Sequence, residues 1–320
     1  MSVTWNGCQS YWFRISNGVR QGGKLSPFLF NIYINDLIRT VSSAKVGCHV
    51  GSLLYNILAY ADDIVLLSPT CSGMRHLISI CEAEAVKIDV EFNPDKSKCM
   101  LFKSLDKRFR LNDGISPSIT LSGNKLEFVT HFQYLGHIIT EDLSETLDID
   151  RVRRSLCKQG NMIISRFPKA SGLVRLTLFR SFCLNLFGAE LWSPRNESKF
   201  KAIKVIYHDI VKRLVGVQRQ MNNHLVCHDF QLLTFDKLIA SRKINFFNSI
   251  VCANNYLLFN LCNQVFCSDL FNDITYLLHK YEIGNLDFKS CSKQDIKHVF
   301  TCMITRVALR QRELILDEPL

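Results

Sequence analysis

The apolar run Leu53-Leu54-Tyr55-Asn56-Ile57-Leu58-Ala59 and its shorter successor Ile64-Val65-Leu66-Leu67 are separated only by Tyr60-Ala61-Asp62-Asp63. Two aliphatic runs closing on so short a link predict a β-hairpin, and Asp suits its turn because the side chain can bond nearby backbone. Upstream, Ser26 and Pro27 read as the cap and first position of a helix down which Leu29, Ile32, Ile34 and Leu37 recur. Phe132-Gln133-Tyr134-Leu135-Gly136-His137-Ile138-Ile139 reads as an aromatic-rich strand with a glycine bulge. Beyond it the period becomes helical, with Leu176, Phe179, Cys183 and Leu186 on one stripe and Ile203, Ile206, Ile210, Leu214 and Val217 on another. Pro168 and Ser193-Pro194 punctuate these helices. After about residue 250 helical periodicity continues with many aromatic and Cys residues, and no internal repeat or low-complexity tract is visible.

The hairpin gives the pattern its chemistry. Asp62 and Asp63 sit at the tip of a stiff mount, and hard Mg²⁺ prefers such oxygen ligands, taking one or two carboxylates together with substrate phosphates. An isolated Asp-Asp pair is more often a solvated turn. Gly18, Gly22 and Gly23 precede the first helix and let backbone approach a ligand closely, with amides free to face a phosphate.

Taken in order, Asn17-Gly18-Val19-Arg20-Gln21-Gly22-Gly23-Lys24-Leu25-Ser26-Pro27-Phe28-Leu29-Phe30-Asn31 followed by Tyr60-Ala61-Asp62-Asp63 resembles a reverse transcriptase of the non-LTR, LINE-like retrotransposon type. The resemblance covers roughly residues 5 to 250, with specific motifs confined to residues 17 to 139. It implies that Asp62 and Asp63 are catalytic metal ligands, that Gln21 and Gly22, with Tyr60 and Ala61, contact the incoming nucleotide or its template base, and that Tyr60 lies below the primer terminus. The segment Asn93-Pro94-Asp95-Lys96 resembles the family stretch whose Lys lies near the triphosphate, so Lys96 is a candidate to assist pyrophosphate departure; the alternative is a solvated lysine in a charged turn. Tyr134, Leu135 and Gly136 resemble the hairpin that grips the primer end, although periodicity alone reads them as a plain strand. In the intact family enzyme the nucleotidyl group of a dNTP is transferred to a primer 3′-hydroxyl on an RNA template and pyrophosphate leaves, so the implied partners are RNA template, primer DNA and RNA–DNA duplex.

Residues 1 to 35 hold no Asp or Glu, and the first acidic residue is Asp36, inside the predicted helix. A two-metal site needs carboxylates from two places, so the expectation is an N-terminally truncated fragment, inactive on its own and holding Mg²⁺ weakly or not at all. A non-catalytic nucleic-acid-binding remnant and a pseudogene product are the alternatives.

Charge locates the second candidate surface. The chain carries a net charge of +10, yet residues 151 to 220 alone hold 15 basic and 3 acidic side chains. Arg151, Arg153, Arg154, Lys158 and Arg166, then Lys199, Lys201, Lys204, Lys212, Arg213 and Arg219, stand against the apolar stripes. Solvated helix faces are the bland reading; an excess of that density favours a phosphate-facing surface, because self-repulsion opposes folding.

With 320 residues and 47% apolar side chains the chain can bury a substantial core and form more than one domain. Its start lacks the charged and apolar regions of a signal peptide, and no run of about 18 apolar residues exists to span a bilayer, so an intracellular protein of nucleus or cytoplasm is expected, with no membrane partner and no obligate protein partner inferable. Thirteen scattered cysteines with no Cys-x-x-Cys read as reduced thiols, and neither His224, Cys227 and His228 nor Cys262 and Cys267 have structural zinc spacing. The expected fold is α+β: a partial palm with an antiparallel sheet over residues 1–140, an all-helical basic thumb over 141–225 and a helical extension over 226–320.

Overall fold

The computed structural model describes residues 1–14, 22–102, 117–253, 255 and 268–281. They divide into two compact units, one drawn from 1–99 and 111–128, the other from 100–110 and 129–320. The class is α+β, with helices and small sheets together. Among the described residues no helix is long and apolar enough to cross a membrane.

The first unit runs β1 (Thr4–Trp5), β2 (Cys8–Gln9), α1 (Ser26–Ser43), β3 (Cys48–Val50), β4 (Leu53–Tyr55), β5 (Ile57–Tyr60), β6 (Asp63–Leu66), α2 (Cys71–Lys87), β7 (Lys98–Cys99), β8 (Thr120–Leu121), β9 (Asn124–Lys125) and β10 (Glu127–Phe128). Its strands form two-stranded ladders, and the β7–β10 ladder is parallel; no larger antiparallel sheet forms among the described residues.

The core of this unit lies between α1 and α2, where Ile34, Leu37 and Val41 meet Leu77, Cys81 and Ala85. Ile57, Ile64 and Leu66 of the predicted hairpin pack onto it. Two expectations for α1 change. The helix starts at Ser26, so the cap position falls on Leu25, whose side chain has no oxygen to accept an amide, and no side-chain cap forms. Leu29 and Ile32 are exposed, since the buried stripe is Ile34, Leu37 and Val41. By contrast α2 is capped, with Thr70 accepting from the Gly73 amide at 3.1 Å.

Asn56, the polar residue that interrupts the apolar run, is buried. Its Nδ2 donates to the carbonyls of Val41 at 2.7 Å and Ala44 at 3.2 Å, and its own carbonyl accepts from Leu67 N at 2.9 Å. The hairpin is thereby tied to the end of α1. Gly47 makes room for this clamp: a Cβ there would lie 2.5 Å from Asn56 Cβ, and its φ of 150° disfavours any side chain.

The second unit runs β11 (His131–Tyr134), β12 (His137–Thr140), α3 (Thr146–Arg166), α4 (Gly172–Phe182), α5 (Lys201–Val215), α6 (Asn223–Asp229), α7 (Phe235–Cys252) and α8 (Ser268–Lys280). The sequence stripes do meet in one core: Leu176, Phe179, Cys183 and Leu186 are buried with Ile203, Ile210 and Leu214, around Trp192, Tyr207 and Phe235. Close approach of α3 to α5 depends on Gly160, where a Cβ would sit 2.7 Å from Ile210 Cγ2.

Replacing Asn56 by Leu removes both donated bonds, leaving the Val41 carbonyl with the Ala44 amide alone and the half-buried Ala44 carbonyl without its Asn56 donor, a loss of about 1–3 kcal/mol. Urea unfolding of the Asn56→Leu chain is expected to show that loss; a change within about 0.5 kcal/mol would mean the clamp is dispensable.

Candidate functional site

The β5–β6 hairpin pairs Ile57 with Leu66, Leu58 with Val65, Ala59 with Ile64 and Tyr60 with Asp63. Since side chains alternate across a strand and paired residues share a face, Ile57, Ile64 and Leu66 point to the α1–α2 core while Tyr60 and Asp63 share the opposite face. Ala61 and Asp62 form the two-residue loop. Ala61 takes a φ of 52°, a region that normally asks for glycine and that clusters at functional sites when a side chain occupies it. All of Tyr60, Ala61, Asp62 and Asp63 are exposed, Tyr60 by 65%. The acidic pair is thus presented outward on a hairpin whose other face is locked by packing and by Asn56.

No third His, Cys, Asp or Glu groups with Asp62 and Asp63 among the described residues. Two adjacent carboxylates fit one hard cation that keeps most of its water or borrows phosphate oxygens. They do not by themselves supply the bridging ligands of a two-metal centre. Gln21 lies outside the described residues. Gly22 is exposed with a φ of 79°, and a Cβ there would meet nothing within 4 Å, so conformation and not space selects glycine. Lys96 is exposed in a turn built by Asn93, whose Oδ1 accepts from the amides of Asp95 at 3.0 Å and Lys96 at 3.2 Å.

In the second unit, Leu135 (φ 47°) and Gly136 (φ 82°) form the tight turn between β11 and β12, both with positive φ as a twisted hairpin requires. Tyr134 pairs with His137 across it. Directly behind lies Asp148, fully buried. Its Oδ1 accepts from Ile138 N at 3.1 Å and from Arg151 Nε at 2.7 Å. Its Oδ2 accepts from Trp192 Nε1 at 2.9 Å and lies 3.0 Å from His137 Nδ1. Burial pushes this carboxyl up, but the hydrogen bonds from His137, Arg151, the Ile138 amide and Trp192 outweigh it and hold the group well below the usual carboxylate range. Sequence reasoning missed Asp148 and Trp192; an acidic residue just before a strongly basic segment and a tryptophan within it were the available signal.

The basic residues divide sharply. Arg151 is committed inward, to Asp148 and, through Nη2, to the Phe187 carbonyl at 2.9 Å. Lys212 is buried and donates to the Arg219 carbonyl at 2.7 Å. Arg153 and Arg154 both bond Asp150, Lys204 bonds Asp236, Arg219 pairs with Asp209, Lys199 lies 3.6 Å from Glu145, and Arg213 donates to Asn161. Arg154 nevertheless remains 76% exposed, as a surface pair allows. Lys158, Arg166 and Lys201 are exposed too.

Parts of this chain are similar to known proteins. Residues 2–139 match the family described as reverse transcriptase (RNA-dependent DNA polymerase). The chain is 36% identical over 95 residues, 30% of its own length and 9% of the relative's, to the retrovirus-related Pol polyprotein from type-2 retrotransposable element R2DM of Drosophila melanogaster. It is 31% identical over 160 residues, 48% of its length and 16% of the relative's, to the RNA-directed DNA polymerase from mobile element jockey of Drosophila funebris. With the corresponding jockey protein of Drosophila melanogaster the likeness extends over 230 residues, 68% of this chain and 24% of the relative, at 21% identity. The chain therefore contains a reverse transcriptase domain. That domain is of the non-LTR retrotransposon type, and the chain spans a small part of the length of the relatives it matches.

Two outcomes follow from the geometry. Asp63→Asn is expected to leave unfolding free energy within about 0.5 kcal/mol of the parent, as exposed positions do; a loss above about 2 kcal/mol would reveal a structural partner. Asp148→Asn is expected to cost about 3 kcal/mol or more, because the positive charge of Arg151 then loses its buried partner. A carboxylate with a depressed folded pKa contributes stability that is complete above its unfolded value, near 4, and fades as pH falls below it. Thermal unfolding between pH 7 and pH 2 is therefore expected to show a parent–variant difference that is constant at neutral pH and shrinks in acid; a difference that grows in acid would contradict the assignment.

Proposed function

We propose that this chain is the palm and thumb portion of an RNA-directed DNA polymerase, in which the Tyr60–Asp63 hairpin serves the incoming dNTP and the second unit holds the primer–template. The observation that carries this reading is the outward presentation of Asp62 and Asp63 at a strained two-residue turn whose opposite face is clamped to the core. In it, Asp62 and Asp63 hold Mg²⁺, which neutralises phosphate charge in phosphoryl transfer. Gln21 and Gly22 contact the nucleotide or template base beside Tyr60 and Ala61. Lys96, ordered by Asn93, faces the leaving pyrophosphate. Tyr134, Leu135 and Gly136 support the primer end. Such work on nucleic acid belongs to the nucleus or cytoplasm.

Phosphate contacts are proposed for the basic residues that remain exposed, Arg154, Lys158, Arg166 and Lys201, with Arg153, Lys204 and Arg213 available once their surface partners release them. Arg151 and Lys212 instead hold the unit together. The nucleic-acid reading thereby separates from mere charge. Binding of an RNA–DNA duplex is expected to weaken linearly with log salt concentration, by a slope of about −0.9 for each neutralised phosphate on a B-form duplex. Gln at positions 154, 158 and 166 together is expected to flatten that slope by up to about 3 units and to weaken all sequences alike, because phosphates carry no sequence information. An unchanged slope in a folded triple variant would reduce the basic surface to a solvated face.

A further inference from the structure

Phe187 stands out among its neighbours. Leu186, Gly188 and Ala189 on either side are buried, yet the Phe187 side chain is 52% exposed. Its backbone has no slack. The carbonyl accepts from Arg151 Nη2 at 2.9 Å, and Arg151 is itself fixed by Asp148 at 2.7 Å. The next residue, Gly188, takes a φ of 88°, and a Cβ there would lie 2.8 Å from His137 Nδ1. The ring lies against the β11–β12 turn: a Cβ on Gly136 would be 3.3 Å from Phe187 Cε1 and 3.5 Å from Cδ1. The bare α-carbon of Gly136 thus lets an aromatic ring stand at the tip of the hairpin with its remaining surface open.

A rigid, amphipathically placed ring with few rotamers to lose is what stacking on a nucleobase requires. Bases inside a duplex are already stacked on both faces, so the open partner is a terminal or unpaired base. The surroundings favour nucleic acid over an apolar protein surface: Arg151, which holds the Phe187 carbonyl, lies on α3, and Arg154 and Lys158, three and seven residues further along that helix, are exposed.

We infer that Phe187 is a stacking platform for the terminal base of the duplex held at the Tyr134–Gly136 turn. This rests on the proposed reading of the second unit as the primer–template holder. It adds a residue from a different segment of the chain, brought to the hairpin by the Asp148–Arg151 pair.

The test uses the full chain and two RNA–DNA duplexes of equal length, one with a recessed primer end bearing 2-aminopurine at its 3′ terminus and one with both ends closed by stilbene linkers, which cap the terminal pairs and leave no unpaired base. Phe187→Leu preserves an apolar contact with Gly136 but removes the π-face, and Phe187→Tyr preserves both. The expected result is quenching of 2-aminopurine by the parent and the Tyr variant, with the Leu variant losing the quench and about tenfold in affinity for the open-ended duplex only. Equal affinity and quench in the Leu variant, at unchanged melting temperature, would overturn the inference while leaving salt-dependent duplex binding intact. A loss shared equally by the closed duplex would also overturn it, as a packing effect on the hairpin. Failure of the parent chain to bind either duplex would remove both this inference and the reading beneath it.

Discussion

The Asp148 carboxylate is the joint on which the second unit depends. One fully buried group accepts from the hairpin through Ile138, from its own helix through Arg151, and from the 189–192 turn through Trp192, while His137 closes against it. A buried charge survives only when paired and hydrogen-bonded, and this one is satisfied on both oxygens. Three segments that are separate in sequence are therefore fixed with respect to one another by one side chain. The turn at Leu135 and Gly136, the carbonyl of Phe187 and the start of α3 all take their positions from it.

That joint also changes how the positive charge must be counted. The surplus in residues 151 to 220 is plain from sequence, but its distribution is not. Arg151 looks like the first of a surface cluster with Arg153 and Arg154, yet helical geometry turns it inward onto Asp148, three residues before it, and leaves Arg154 outside. Lys212 sits within a buried stripe and finds a backbone carbonyl. Position on the helix, set by which neighbours are apolar, decides whether a basic residue is available to phosphate or used as a structural donor.

The acidic hairpin was legible because its cues are local. Two aliphatic runs and the short link Tyr60-Ala61-Asp62-Asp63 need no distant partner to be recognised, whereas the pairing of Tyr60 with Asp63 comes from the structure. The stripes of α4 and α5 were legible for the same reason. What escaped was long-range or stereochemical. Asn56 reads as an interruption of an apolar run, and only the approach of α1 shows it to be a clamp. The burial of α1 follows Ile34, Leu37 and Val41 because α2 lies on that side, which leaves Leu29 and Ile32 outward. The positive φ of Ala61 is invisible in the letter alanine. The link from Asp148 to Trp192 spans 44 residues and has no periodic signature. Gln21 lies outside the described residues.

If Asp148 couples the hairpin to the 187–192 segment, the two should open as one when it is removed. Hydrogen exchange of backbone amides in native conditions reads this directly, because local opening free energies differ across a structure. The account predicts that in Asp148→Asn the amides of Ile138, on β12, and of Leu191 and Trp192 lose protection together, while amides near Tyr207 and Ile210 in the helical core keep theirs. Loss of protection at Ile138 alone, with residues 187–192 unchanged, would show that the carboxylate anchors one strand and not the joint described above.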